Sequence, residues 1–180
     1  MTYKVLALGY SQTGQLQHIL DSVLGPLDAE SNIEITRVGI EPETPYPFPW
    51  PVWRFFDTFP ETVYEVPIPY KLVWPGDTPQ AETDFDLVIL AYQVWFLSPS
   101  PPISSFLQND DAEHLLKGKR VITVIGCRNM WLMAQESMKQ HLTRLGAILI
   151  DNIALTDSAH SAFTFLSTPI WMLTGNRGPW

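Results

Sequence analysis

Three short, almost wholly apolar runs constrain this chain most: "KVLAL" at Lys4–Leu8, "LVILA" at Leu87–Ala91 and "VITVI" at Val121–Ile125. Runs of this kind suit strands buried on both faces, which occur in parallel sheets covered by helices. The residues behind each run change period. Leu16, Ile19, Leu20, Val23 and Leu24 make one helical stripe, with Gly25-Pro26 expected to end it. "SPSPPISSFL" offers prolines suited to a first helical turn, with Ile103, Phe106 and Leu107 facing inward. Trp131, Ala134, Met138, Leu142 and Leu145 form another stripe, closed by Gly146. Ile33–Val38 and Ala147–Ile153 read as two further strands, and Ser161–Leu173 as helical in part, interrupted by Pro169. Alternation of strands and helices implies right-handed crossovers and a parallel sheet. Five strands in 180 residues predict one doubly wound α/β domain over residues 1–180, strand order 2-1-3-4-5.

One region breaks the alternation. Residues 40–84 hold 10 of the 16 prolines, and residues 46–74 hold 10 of the 22 aromatic residues. A linker would be polar and flexible. This composition predicts an ordered insertion, with a short helix at Trp53–Phe59, that serves as a packed lid, shapes a pocket or forms a dimer interface.

Net charge is −8, which disfavours a nucleic-acid partner. The basic cluster Lys117, Lys119 and Arg120 reads as the lead into a strand. The single cysteine excludes an intramolecular disulfide and multi-cysteine zinc sites, and no histidine pair has metal-ligand spacing. The chain shows neither a signal peptide nor an apolar run long enough to cross a bilayer, so the expected compartment is the cytoplasm.

The junction "LGYSQTGQLQHIL", Leu8–Leu20, carries the functional signal. A loop from the first strand into the first helix lies at the carboxyl end of the sheet, where helix N–H groups point outward and favour an anion. Ser11 and Thr13 add hydroxyls, and Gly14 lets the backbone come close. Gly9 and Gly14 have P-loop spacing, but Gln15 and Leu16 stand where Lys and Ser/Thr would hold a triphosphate and magnesium. The three-glycine dinucleotide fingerprint is absent. A single terminal phosphate held by neutral donors fits these residues.

Ser11-Gln12-Thr13-Gly14-Gln15 resembles the phosphate loop of flavodoxins and flavodoxin-like quinone reductases, (S/T)-x-T-G-x-T, with Leu16 in place of the last Thr. The resemblance covers Lys4–Val38 and Asp84–Ile153. It implies a flavodoxin-like three-layer sandwich and bound FMN. It also implies that Gln93, Val94, Trp95 and Phe96 line one side of the flavin ring, with Gln93 where the family has Pro and Leu97 where it has Gly. Gly126, Cys127, Arg128, Asn129, Met130 and Trp131 occupy the loop that packs the other side. "YSQTGQL" with "GCRNMWLMAQE" also resembles a narrower flavodoxin-like group, the dialkylresorcinol condensing enzymes, which implies aryl-lipid biosynthesis. The expected activity is hydride or electron transfer between reduced nicotinamide, NAD(P)H, and a small quinone-like or aromatic acceptor. An electron carrier, or an aryl-lipid pathway protein of this fold, is the alternative.

No catalytic residue is assigned. Cys127 reads as strand-end packing more readily than as a nucleophile, since Met133 stands where a C-x5-R motif needs Arg. Arg128 is a candidate anion binder and His160 a candidate acid or base, whereas His18 and His141 read as surface residues of helices.

Overall fold

The computed structural model describes residues 2–76, 84–127, 130–156 and 170–175. Strand β1 (Tyr3–Gly9) shows how the chain builds two cores. Its side chains alternate across the sheet. Val5 and Ala7 meet Leu16, Leu20 and Leu24 of α1 (Gln15–Asp28) on one face. Leu6 and Leu8 join a larger core on the other face. That face is covered by α3 (Pro101–Leu107), α4 (Asp110–Leu116) and α5 (Leu132–Arg144).

Strands β2 (Ile33–Pro42), β1, β4 (Leu87–Tyr92), β7 (Arg120–Cys127) and β8 (Ile148–Thr156) pair in parallel, in that spatial order. The main sheet has six strands, not the expected five. The insertion supplies β3 (Tyr70–Val73), antiparallel to β2 and outside it. Its pairing covers backbone groups that an exposed β2 edge would leave open. A separate hairpin, β5 (Val94–Trp95) with β6 (Ser98–Pro99), follows β4.

Several boundaries differ from expectation. Helix α1 does not stop at Gly25-Pro26 but runs to Asp28 with Pro26 inside it. Leu24 and Leu27 pack on the α1-side core, so apolar contact carries the last turn despite the lost N–H. The insertion helix, α2, spans Val52–Val63 rather than Trp53–Phe59 and contains Pro60. Helix α4 was not expected; it starts at Asn109, whose side chain accepts from the Asp111 amide. Helix α5 ends as its glycine suggests. Gly146 sits at φ +70°, with Gly146 N–H donating to Thr143 C=O and Ala147 N–H to Leu142 C=O. Of the expected tail helix, residues 161–169 lie outside the described residues, and residues 170–174 form a helical turn.

Two polar networks set α5 in place. Tyr92 Oη donates to Gln135 Oε1 (2.6 Å), Gln135 Nε2 to Thr123 Oγ1 (3.2 Å), and Thr123 Oγ1 to Asn152 Oδ1 (2.9 Å). This buried chain links β4, α5, β7 and β8. The second network corrects the reading of His141 as a surface residue. His141 Nε2 lies 2.6 Å from Glu65 Oε2, and Ser137 Oγ donates to Glu65 Oε1. Arg144 Nη2 donates to His141 Nδ1 (3.3 Å), which leaves Nε2–H to face Glu65. Gln108 Nε2 donates to the Glu65 carbonyl (3.0 Å). The segment leaving α2 is thereby fastened to α3 and α5.

The hydrogen bond from His141 holds the Glu65 carboxyl below its ordinary range, against the opposing effect of burial. A lowered carboxyl pKa stabilises the fold above the unfolded-state value, and that contribution fades as pH falls through the folded value. Glu65→Gln is expected to cost about 1–3 kcal/mol at neutral pH. Chemical denaturation at neutral and acidic pH checks this: the gap to wild type should close on acidification, and a constant gap would contradict the pairing.

Candidate functional site

The loop between β1 and α1 is held from both sides. Tyr10 is buried and packs edge-on against Trp95. The Gln12 amide N–H donates to Gln93 Oε1 (3.2 Å), and Gln12 Nε2 donates to the Pro47 carbonyl (2.9 Å). Gln93, which stands where the resembled family has Pro, thus ties the loop after β4 to the loop after β1.

What these bonds leave over defines the site. Gly14 caps α1 at φ +78°, with no side-chain cap bond. The amides of Thr13, Gly14 and Gln15 have no partner among the described residues. The Thr13 hydroxyl is buried and also without a partner. A Cβ placed on Gly14 would meet nothing within 4 Å, so the loop opens onto free space there. Ser11 Oγ accepts from the Leu16 amide (3.2 Å) and keeps its own proton to donate. A buried donor without a partner costs free energy, and an anion at this opening would satisfy several at once. None of the donors carries charge. The arrangement fits a phosphate monoester better than a triphosphate.

Leu16 is not part of the cradle. Its side chain lies in the α1-side core, and its amide is already bonded to Ser11. The Thr expected at this position would have been buried beneath the helix.

The loop after β4 is a tight hairpin. Phe96 and Leu97 both have positive φ, +47° and +68°. They turn the chain between the paired residues Trp95 and Ser98. Two left-handed residues in a two-residue loop match a type I′ turn, which normally takes Asn or Gly. Leu97 thus replaces the family's glycine while keeping a backbone conformation that glycine favours. Trp95 is not an open wall: it is buried against Tyr10, Tyr46 and Trp50, with ring centroids 5.0 Å (Tyr46) and 5.3 Å (Trp50) away. Phe96 is half-buried against Phe55 and Phe59 of α2. The insertion supplies these partners. Val94 is half-buried at the start of the hairpin.

The loop after β7 is described in part. Arg128 and Asn129 lie outside the described residues, as does His160. A Cβ on Gly126 would sit 2.5 Å from Ile19 Cδ1, so this glycine faces α1. Cys127 and Trp131 are half-buried against the larger core, and Met130 is exposed at φ +58°. Burial raises the Cys127 thiol pKa, which keeps it protonated and disfavours a nucleophilic role. Burial also raises the Tyr10 hydroxyl and, with the Glu61 carboxylate, pushes Tyr46 up to about 12. Both hydroxyls therefore stay protonated. Among the described residues no group of three or more His, Cys, Asp or Glu could hold a metal ion.

No protein-family model and no curated protein matches the chain. Solved structures do. A Lactobacillus acidophilus flavoprotein in complex with FMN matches at TM-score 0.63 and 15% identity, over 85% of this chain and 93% of that one. The apo-form of the flavoprotein from the same organism matches at TM-score 0.54 and 18% identity, over 88% and 95%. Oxidised flavodoxin 1 from Bacillus cereus matches at TM-score 0.50 and 15% identity, over 96% and 99%. The fold is therefore flavodoxin-like: α/β, with a mostly parallel central sheet. No helix among the described residues is long and apolar enough to cross a membrane.

The strained hairpin gives a direct check on its geometry. Leu97→Gly removes the left-handed penalty and is expected to raise stability by about 0.5–1 kcal/mol. Thermal or chemical unfolding measures it, and destabilisation by a similar amount would contradict the turn assignment.

Proposed function

We propose that this chain is an FMN-binding flavoprotein whose β1–α1 loop holds the cofactor phosphate. The observation that carries the reading is the set of unsatisfied donors on consecutive residues of one loop: the buried Thr13 hydroxyl and the Thr13, Gly14 and Gln15 amides. Ser11 completes the cradle through its free proton. The likeness of the fold to an FMN-bound flavoprotein and to a flavodoxin supports the same choice.

The ring would lie between the loops after β4 and β7. Gln93, Val94 and Phe96 belong to the first, Gly126, Cys127, Arg128, Asn129 and Trp131 to the second. Trp95 supports from behind, because its ring is sealed by Tyr10, Tyr46 and Trp50. Bound FMN supplies hydride or electron transfer. The protein's part is to fix the phosphate, exclude water with an apolar surround and keep the site free of competing nucleophiles. We assign the chain to oxidoreductases that pass reducing equivalents from NAD(P)H to a quinone-like or aromatic acceptor. The aromatic insertion beside the hairpin supports an apolar, flat acceptor.

The purified protein should bind FMN, seen as quenching of flavin fluorescence and a visible flavin spectrum. Thr13→Val removes one hydrogen bond to a charged group, worth about 1.5–3 kcal/mol, and should weaken FMN binding roughly 10- to 100-fold. Unchanged affinity would remove the phosphate assignment. NADH and NADPH oxidation with added quinone tests the activity; FMN binding without turnover would favour the electron carrier.

A further inference from the structure

Helix α2 sits inside out. Its inward arc carries Arg54, Phe55, Thr58, Glu61 and Thr62, and both threonines are fully buried. Their hydroxyls are satisfied within the helix, Thr58 Oγ1 donating to the Arg54 carbonyl and Thr62 Oγ1 to the Thr58 carbonyl, each at 2.8 Å. Arg54, the helix's only cation, stacks over Tyr46 and pairs with Glu61 (3.1 Å). The polar face is therefore fixed against the protein. The apolar stripe points outward: Trp53 is 81% exposed, Phe56 61%, Phe59 51%, and Tyr64 just beyond the helix 80%. Val52 and Val63 extend it. A surface helix normally shows the opposite arrangement.

We infer that this stripe is a dimer interface, on which α2 of a second copy packs about a two-fold axis. The area supports it. At about 200 Å² per aromatic side chain, the exposed parts of these four rings come to roughly 550 Å². The valines bring the patch to roughly 650 Å², at the lower end of the ~600–1,000 Å² per partner of a standard interface. A self-complementary aromatic stripe suits an isologous contact, in which each copy offers the same patch. Charge disfavours a lipid surface. An interfacial helix carries Lys or Arg on its flanks; here the one arginine is turned inward, Asp57 lies exposed beside the stripe, and net charge is −8. The pairing does not depend on flavin. Because Phe96 touches Phe55 and Phe59, the partner copy would seat next to the β5–β6 hairpin.

Like charges flank an apolar contact, so salt should tighten association by screening repulsion. Sedimentation velocity of the full chain over the micromolar range should give twice the protomer mass, with the dimer strengthened by added sodium chloride. Phe56→Asp should weaken dimerisation at least 100-fold while leaving the circular dichroism spectrum unchanged. Should that variant misfold, Cys127→Ser/Phe56→Cys provides the second test: a bismaleimide should join two copies through position 56. A wild-type monomer at all concentrations, a dimer weakened by salt, a dimer unaffected by Phe56→Asp, or no cross-link would each overturn the inference. Flotation of wild-type protein with phosphatidylcholine vesicles would also overturn it in favour of a lipid occupant.

Discussion

A helix that begins directly at the carboxyl end of a buried parallel strand cannot satisfy its own first N–H groups, and the site depends on how those groups are used. Here one, on Leu16, is capped by Ser11, and the Gln12 amide ahead of the helix is spent on Gln93. The amides between them remain free, the buried Thr13 hydroxyl is unpaired, and the space beyond Gly14 is open. A fully capped helix would be more stable in isolation and would have nothing to offer an anion. The absence of Lys or Arg from the loop narrows the choice further, because neutral donors suit one phosphate group better than the dense charge of a triphosphate.

The loop after β1 does not stand alone but is tied to the loop after β4. Gln12 and Gln93 join the first to the second, and Pro47 brings in the insertion. The insertion then packs Tyr46 and Trp50 behind Trp95, and Phe55 and Phe59 against Phe96. Between α2 and β3, Glu65 fastens it to His141 and Ser137 of α5. A hairpin with two bulky residues at positive φ is strained, and strain of this kind persists where the surroundings over-determine it. The insertion supplies those surroundings. It also adds β3 to the sheet, so one segment closes an edge, braces the hairpin and presents the outward face of α2.

Much of this was legible in the residues alone, for a physical reason. Strands β1, β4 and β7 are buried on both faces and read as unbroken apolar runs. Helices α1 and α5 bury one stripe each and read by their period. The loop at Ser11–Gly14 stands out in the sequence because two hydroxyls, an amide and a glycine crowd the junction of a buried strand with a helix. The failures share one cause: each depends on a distant partner. His141 reads as a surface residue until Glu65, 76 positions away, is placed beside it. Trp95 reads as a ring wall until the insertion covers it. The insertion helix reads as Trp53–Phe59, yet it runs over Val52–Val63 with Pro60 inside it, because Glu65, just beyond its end, is fastened to His141 of α5. Pro26 reads as a stop because propensity is local, whereas Leu27 packs on a core that lies elsewhere in the chain.

The central claim is that neutral donors after β1 bind a phosphate group. Comparing the affinities of FMN and riboflavin for the same protein isolates that group, since the two ligands share their ring and ribityl chain. The account predicts that FMN binds at least about 10-fold more tightly, the equivalent of one hydrogen bond to an anion. Equal affinities, or preference for riboflavin, would contradict it.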